Sequence, residues 1–352
     1  MSVSTLVKDC SGGRPFASAT PRVSVIICTK DRPAELAVCL DSLARQMTQP
    51  AEVIVVDAST VATEREVSDF RSKVGPECNV KLLRASPALT RQRNIGVHAA
   101  SGSVLLFLDD DTVLATDYLR EIAAVYENDP ESRIGGVGGA TISDPTHTEP
   151  WLRRVFKRVF LLSSIGFGRL KRSGHPAWVF SPREPLKVEF LSGCNMSYRR
   201  EVFDYLKFDE RLTGYALGED LHFSYAVSRR WQLVLTPYAR LEHRDAAGGR
   251  PSTRDRAEMG VLHHLLFFRE QVARSPLDWL CYFWSLLGGL LLTLRHPGEG
   301  RLTGVLLGYR RVAGALISRR TSIDASSLPS RTSMWRNAAS TDGRAEDDLF
   351  RT

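Results

Sequence analysis

Four times in the first 127 residues, a short apolar or β-branched run is followed by apolar positions at helical spacing. The run Arg22 to Cys28 (RVSVIIC) precedes Pro33 and then Leu36, Cys39, Leu40 and Leu43. Glu52 to Asp57 (EVIVVD) precedes Thr63 to Lys73, Val80 to Leu83 precedes Leu89 to Ala100, and Ser103 to Asp109 (SVLLFLD) precedes Leu119, Ile122, Ala123 and Tyr126. Period-two or continuous apolar runs read as strands and the i, i+3, i+4 sets as helices. Strand and helix in alternation predict an α/β chain with a parallel sheet covered on both faces. Ligands of such sheets bind beyond the carboxyl ends of the strands, and three of these runs end in polar loops: Cys28 to Asp31, Asp57 to Ser59 and Asp109 to Asp111. Those loops are expected to meet.

The alternation stops near Asp144. A basic, aromatic stretch from Trp151 to Lys171 leads through Pro176 and Pro185 into VEFLSGCNMSYRR, then GYALGEDLHFSYAVSRR and the strand Trp231 to Leu235. These read as the second half of one domain over 21–245, after a flexible N-terminus at 1–20. Beyond a polar break at Gly248 to Arg256, Val261 to Phe268 and Trp279 to Leu294 are strongly apolar, which predicts a helical, membrane-associating extension over 246–318. The segment 319–352 is rich in Ser, Arg and Asp and reads as disordered. As a helix, Trp279 to Leu294 would reach roughly 24 Å, short of the roughly 30 Å of hydrocarbon. Its aromatic start and basic end fit a helix lying in one leaflet. A buried core helix or a contact between copies accounts for the run equally well.

Composition is that of a globular protein, with 43% hydrophobic residues in 352. A net charge of +7, spread along the chain, suits an anionic partner, which on charge alone leaves membrane, nucleotide and nucleic acid open. The six cysteines form no C-x-x-C pair, which argues against structural zinc and for a reducing cytoplasm. No signal-peptide run opens the chain, so its working part is expected inside the cell.

The chemistry concentrates in LLFLDDDT, Leu105 to Thr112. Three adjacent carboxylates at the mouth of a buried strand repel one another unless a cation neutralises them. A hard divalent ion such as Mn²⁺ or Mg²⁺ takes oxygen ligands and bridges carboxylates to phosphates. Asp109 and Asp111, two apart, can turn to one ion, leaving Asp110 for a hydroxyl or solvent.

Together with VSVIICTKDRP, VIVVDAS, RQRNIG, LSGCNMSYRR and GED, in that order over roughly residues 22 to 245, this stretch resembles family 2 glycosyltransferases of the GT-A fold. The resemblance implies a Rossmann-like, mostly parallel sheet and a metal-dependent, usually inverting transfer of sugar from a nucleotide-sugar donor to an acceptor hydroxyl. Matched by position, it assigns donor contacts to Thr29, Asp57, Arg93, Asn94, Asp109 and Asp110. It assigns metal ligation to Asp109, Asp111 and His243, the catalytic base to Asp220, and acceptor contacts to Glu219, Gly193 and Asn195. The sequence departs from the family at VDAS, where a second Asp or Asn often follows the first, so the donor's base stays open. A base in this position takes the acceptor proton as the hydroxyl attacks the anomeric carbon. The expected partners are a nucleotide-sugar donor, a glycan or lipid-linked acceptor and a membrane surface touched peripherally at its inner, cytoplasmic face, with no nucleic acid. Two other readings of the same residues are a haloacid-dehalogenase-like phosphatase, whose D-x-D normally lies on the first strand, and a non-catalytic nucleotide-sugar-binding protein. A pyrophosphorylase would need a Gly-rich loop after the first strand, where CTKDRP stands.

Overall fold

The computed structural model describes residues 20–317, except positions 62, 143–148, 245, 247, 249 and 297. The expected flexible N-terminus, apart from Thr20, and the expected disordered tail lie outside the described residues. The alternation of the first half forms β1 (Val23–Thr29), α1 (Pro33–Ala44), β2 (Glu52–Asp57), α2 (Glu64–Lys73), β3 (Asn79–Arg84), α3 (Leu89–Ala99) and β4 (Val104–Asp109). The three aspartates then turn into a short strand, β5 (Thr112–Leu114), before α4 (Tyr118–Glu127) and β6 (Ile134–Thr141).

Irregular structure follows: α5 (Trp151–Val159), a three-stranded sheet of β7 (Ser164–Ile165), β8 (Arg169–Leu170) and β9 (Pro176–Trp178), and β10 (Leu186–Val188). The main sheet is completed by β11 (Asn195–Arg199), a single turn α6 (Val202–Tyr205), α7 (Glu219–Ser228) and β12 (Gln232–His243). Three helices close the described chain: α8 (Thr253–Phe267), α9 (Pro276–Arg295) and α10 (Arg301–Ile317).

The main sheet runs β10-β12-β6-β11-β4-β1-β2-β3, with β5 paired to β12. The β3-β2-β1-β4 half is parallel, whereas β11 lies antiparallel between β4 and β6. The sheet is therefore mixed. Alternate residues of β1 divide the core: Val25 and Ile27 meet Leu36, Leu40 and Leu43 of α1 and Tyr118 of α4, while Ile26 faces the opposite side with Val97 of α3 and Phe223 of α7. Burying such side chains contributes roughly 1.5–3 kcal/mol each, and the strict period of two sorts them to the two faces. Gly96 of α3 lets that helix close on β1, since a Cβ there would lie 2.4 Å from Ile26 Cγ2.

Two elements differ from the sequence reading. The last strand extends from Leu235 to His243, because its second half pairs antiparallel with β5, setting His243 opposite Thr112. The apolar C-terminal helix starts at Pro276, with Ser275 and Asp278 forming a reciprocal capping box, so the charge of Asp278 opens the helix instead of bounding it. It runs twenty residues, long and apolar enough by composition to cross a membrane. It is not a buried core helix: Leu280, Phe283, Leu287, Leu291 and Leu294 are exposed.

Candidate active site

A cleft of about 600 Å³ opens at the carboxyl ends of β1 and β4. Its walls include Thr29 at the end of β1, Lys30 and Arg32 just after it, Gln92 and Arg93 of α3, Asp109 to Asp111, and Gly193 before β11. The lining continues with the loop Gly214 to Gly218, Glu219 and Asp220 of α7, then His243, Arg250 and Pro251.

The hairpin between β4 and β5 aims the three aspartates differently. Asp110 turns toward the end of β1, accepting from Thr29 Oγ1 at 2.7 Å and Arg32 Nη1 at 3.0 Å. Burial raises its carboxyl to about 6 against the pull of those two donors. Asp111 faces His243, whose Nε2 is 3.0 Å from Oδ1, while the backbone N–H of Ala246 donates to Oδ2 at 2.9 Å. Burial alone would raise Asp111, but the bonds from His243 and Ala246 and the charge of Arg32 hold it below the usual carboxylate range. Asp109 lies 3.8 Å from the same imidazole and 3.6 Å from Arg93. Its carboxyl is raised, by burial first, with Arg93 and His243 opposing.

One ligand atom from each of Asp109, Asp111 and His243 falls within 4.8 Å of the other two. Two carboxylate oxygens and one imidazole nitrogen form a donor set that suits a divalent cation and leaves coordination positions for a phosphate. The β5 and β12 pairing makes this set, since it brings His243, more than a hundred residues further along the chain, back to the aspartate turn.

A second group of side chains, next to Asp109, is built around Arg93. This buried guanidinium lies 2.5 Å from Glu219 through Nη1 and donates from Nη2 to the Gly193 carbonyl. Burial pushes Glu219 up, Arg93 pulls it back, and Asp220 and Asp109 add to the rise, leaving it at about 8. Glu219 Oε2 is buried with no hydrogen-bond partner among the described residues. Asp220 accepts from the Gly193 N–H at 2.9 Å and from the Leu221 N–H at 2.8 Å. Gly218 precedes this pair with φ of 86°, a left-handed conformation that glycine adopts without the cost borne by other residues.

The structure therefore gathers Thr29, Arg93, Asp109, Asp110, Asp111, Gly193, Glu219, Asp220 and His243 around one cleft. Three other predicted residues are not brought to its wall. The Asp57 carboxylate is spent on the Ser59 and Thr63 N–H groups, the Thr63 hydroxyl and Arg84. Asn94 clamps the Phe208 backbone, accepting from its N–H and donating to its carbonyl. Asn195 accepts from the Gly139 N–H and so ties β11 to β6. Conversely, Arg32, Gln92, Tyr215 and Arg250 were not assigned from the sequence. Gln92 donates to the carbonyls of Thr29, the last residue of β1, and Val56, the last but one of β2, and Arg32 joins Asp110 and Asp111 to the Ala246 and Gly248 carbonyls. Arg32 stood inside the quoted TKDRP run; Arg250 stood in a break that carries no pattern.

The model of "Glycosyl transferase family 2" matches residues 24–206, just over half of the 352. A glucosyl-dolichyl phosphate glucuronosyltransferase of Haloferax volcanii is 26% identical over 188 residues, 52% of this chain and 54% of the relative. The O-antigen biosynthesis protein RfbC of Myxococcus xanthus is 30% identical over 248 residues, 66% of this chain but 18% of the relative. The chain thus spans about half or less of the length of these curated relatives. Among solved structures, GalNAc-T7 with UDP, GalNAc and Mn²⁺ superposes with a TM-score of 0.50 at 17% identity, covering 71% of this chain and 51% of that one, a likeness of fold. The phosphatase alternative drops out, since a single glycosyltransferase family model spans the first strand, the aspartate turn on the fourth and the β11 strand. With its GT-A α/β sheet and an acidic turn at the cleft, the chain belongs to glycosyl transferase family 2.

Proposed function

We propose that this protein transfers a sugar from a nucleotide-sugar donor to an acceptor hydroxyl, with inversion at the anomeric carbon. The observation that carries the reading is the Asp109, Asp111 and His243 cluster on the same cleft as Asp220. Those three side chains would hold Mn²⁺ or Mg²⁺, whose charge offsets that of the departing nucleoside diphosphate. Asp220 takes the acceptor proton, its orientation fixed by the Gly193 N–H. Arg93 holds Glu219 and the Gly193 carbonyl in place, and so holds the loop that aligns Asp220. Glu219, which lines the same cleft beside Asp220, contacts the acceptor. Thr29 keeps Asp110 turned away from the metal side.

The acceptor is a glycan or a lipid-linked glycan in polysaccharide or glycolipid assembly, and the reaction sits at the cytoplasmic face of a membrane. The names of the relatives, one acting on glucosyl-dolichyl phosphate and one in O-antigen biosynthesis, support the acceptor class. The apolar outer face of α9 supports the location.

The test is turnover of a panel of UDP-, GDP- and dTDP-sugars by the purified full chain with Mn²⁺ or Mg²⁺. Wild type is expected to turn over one donor class only with metal. Asp220→Asn should retain Mn²⁺ binding, read by calorimetry, while losing about 10²-fold or more in rate. Asp111→Ala should lose both. Metal-independent turnover, or full activity in Asp220→Asn, overturns the assignment.

A further inference from the structure

Helix α9 is built inside out for a water-soluble protein. Its buried residues are Asp278, Tyr282, Ser285, Gly288 and Thr293, while Leu and Phe at i, i+3 and i+7 face outward, Leu280 with 65% of its surface exposed. The buried hydroxyls of Ser285 and Thr293 bond to carbonyls of their own helix, so these two take no partner from the elements packed against α9. A second helix shares the trait. No residue of α5 is buried, and Trp151, Leu152, Val155 and Val159 form an exposed stripe, Trp151 at 66%.

The two stripes join. Phe160 stacks on Trp284 at 4.7 Å between ring centroids, and Trp284 Nε1 donates to the Val159 carbonyl at 2.8 Å. Gly288 admits the Phe160 ring, where a Cβ would lie 2.3 Å from Phe160 Cβ. Val159 and Trp284 are themselves exposed, so the apolar surface is continuous across the contact. Along α5 the stripe is edged by Arg154 and Arg158, both exposed and without an ion pair among the described residues, and α9 ends in exposed Arg295 and His296.

We propose that α5 and α9 together form a docking face for an anionic bilayer, the apolar stripes entering the boundary between headgroups and acyl chains and the arginines meeting lipid phosphates. It deepens the membrane location proposed above and is independent of the sugar chemistry. Charge selects the occupant: a second copy of a chain with net charge +7 would set Arg154 and Arg158 against like charge, whereas an anionic leaflet attracts them. A helix held side-on by Phe160 and Phe268 through its inner face lies along the surface, as amphipathic interfacial helices do.

The test is flotation of the full chain with phosphatidylcholine vesicles, with and without phosphatidylglycerol. Wild type is expected to float with the anionic vesicles. Val155→Glu with Val159→Glu, and separately Leu287→Glu with Leu291→Glu, should each reduce the bound fraction by about tenfold or more. Arg154→Glu with Arg158→Glu should lose the preference for anionic vesicles by about tenfold. All substituted side chains are solvent-exposed, so thermal unfolding should match wild type. Wild type remaining off the vesicles, equal flotation of all variants, or a stable dimer that the Leu287→Glu, Leu291→Glu variant dissolves would each overturn the proposal. Because flotation involves no donor, its failure leaves metal-dependent turnover untouched, and the converse holds.

Discussion

Glu52, the first residue of β2, keeps its carboxylate buried among Ser24, Ser101 and Lys81. Burial alone would raise it, but those donors win and hold it near 2. A depressed carboxyl stabilises the fold above its unfolded value of about 4.3, and this contribution disappears as pH falls toward 2. Glu52→Gln is therefore expected to lower stability by about 1–3 kcal/mol at pH 7 and to flatten the loss of stability between about pH 5 and 2, read by urea unfolding across that range. A variant whose acid limb matches wild type would refute the linkage. In the sequence Glu52 was one polar letter at the start of an apolar run. Asp57, Asn94 and Asn195 show the opposite difficulty: their residue types and motif positions are visible, but each side chain is consumed by neighbours that only the folded chain supplies. The aspartate turn was legible because three adjacent carboxylates after a buried strand are costly without a cation.

At the scale of elements, the sheet's parallel half was written in the period of apolar residues, and its strands fall within two residues of the expected bounds. The hairpin into β5 was not, since three residues are too few to show a period. Nor was the junction of α5 with α9, which depends on Gly288 meeting Phe160 across 128 positions of sequence. Gly288→Val should force these helices apart at a cost of about 1–3 kcal/mol. Limited trypsin digestion at Arg153, Arg154, Lys157 and Arg158 should then run faster than in wild type, while metal-dependent donor turnover stays the same. Unchanged digestion would mean that the Phe160 contact does not hold α5.

The whole molecule carries two faces of opposite character: an acidic, metal-suited cleft on the GT-A sheet, and an apolar, arginine-edged surface on helices outside its regular alternation. Since the second face meets its partner partly by charge, flotation with anionic vesicles should weaken by about tenfold as salt rises past the point where the Debye length falls to a few ångströms. Salt-independent flotation would leave apolar insertion alone as the cause. The sequence by itself determined the sheet's parallel half, the acidic turn at its edge and the family, because each is encoded in neighbouring residues: apolar period, like-charge repulsion and ordered local motifs. Tertiary structure decided which motif residues reach the cleft, that His243 meets Asp111, and that two helices turn their apolar sides outward. Those outcomes depend on strand register and on packing between segments more than a hundred residues apart, which no local pattern records.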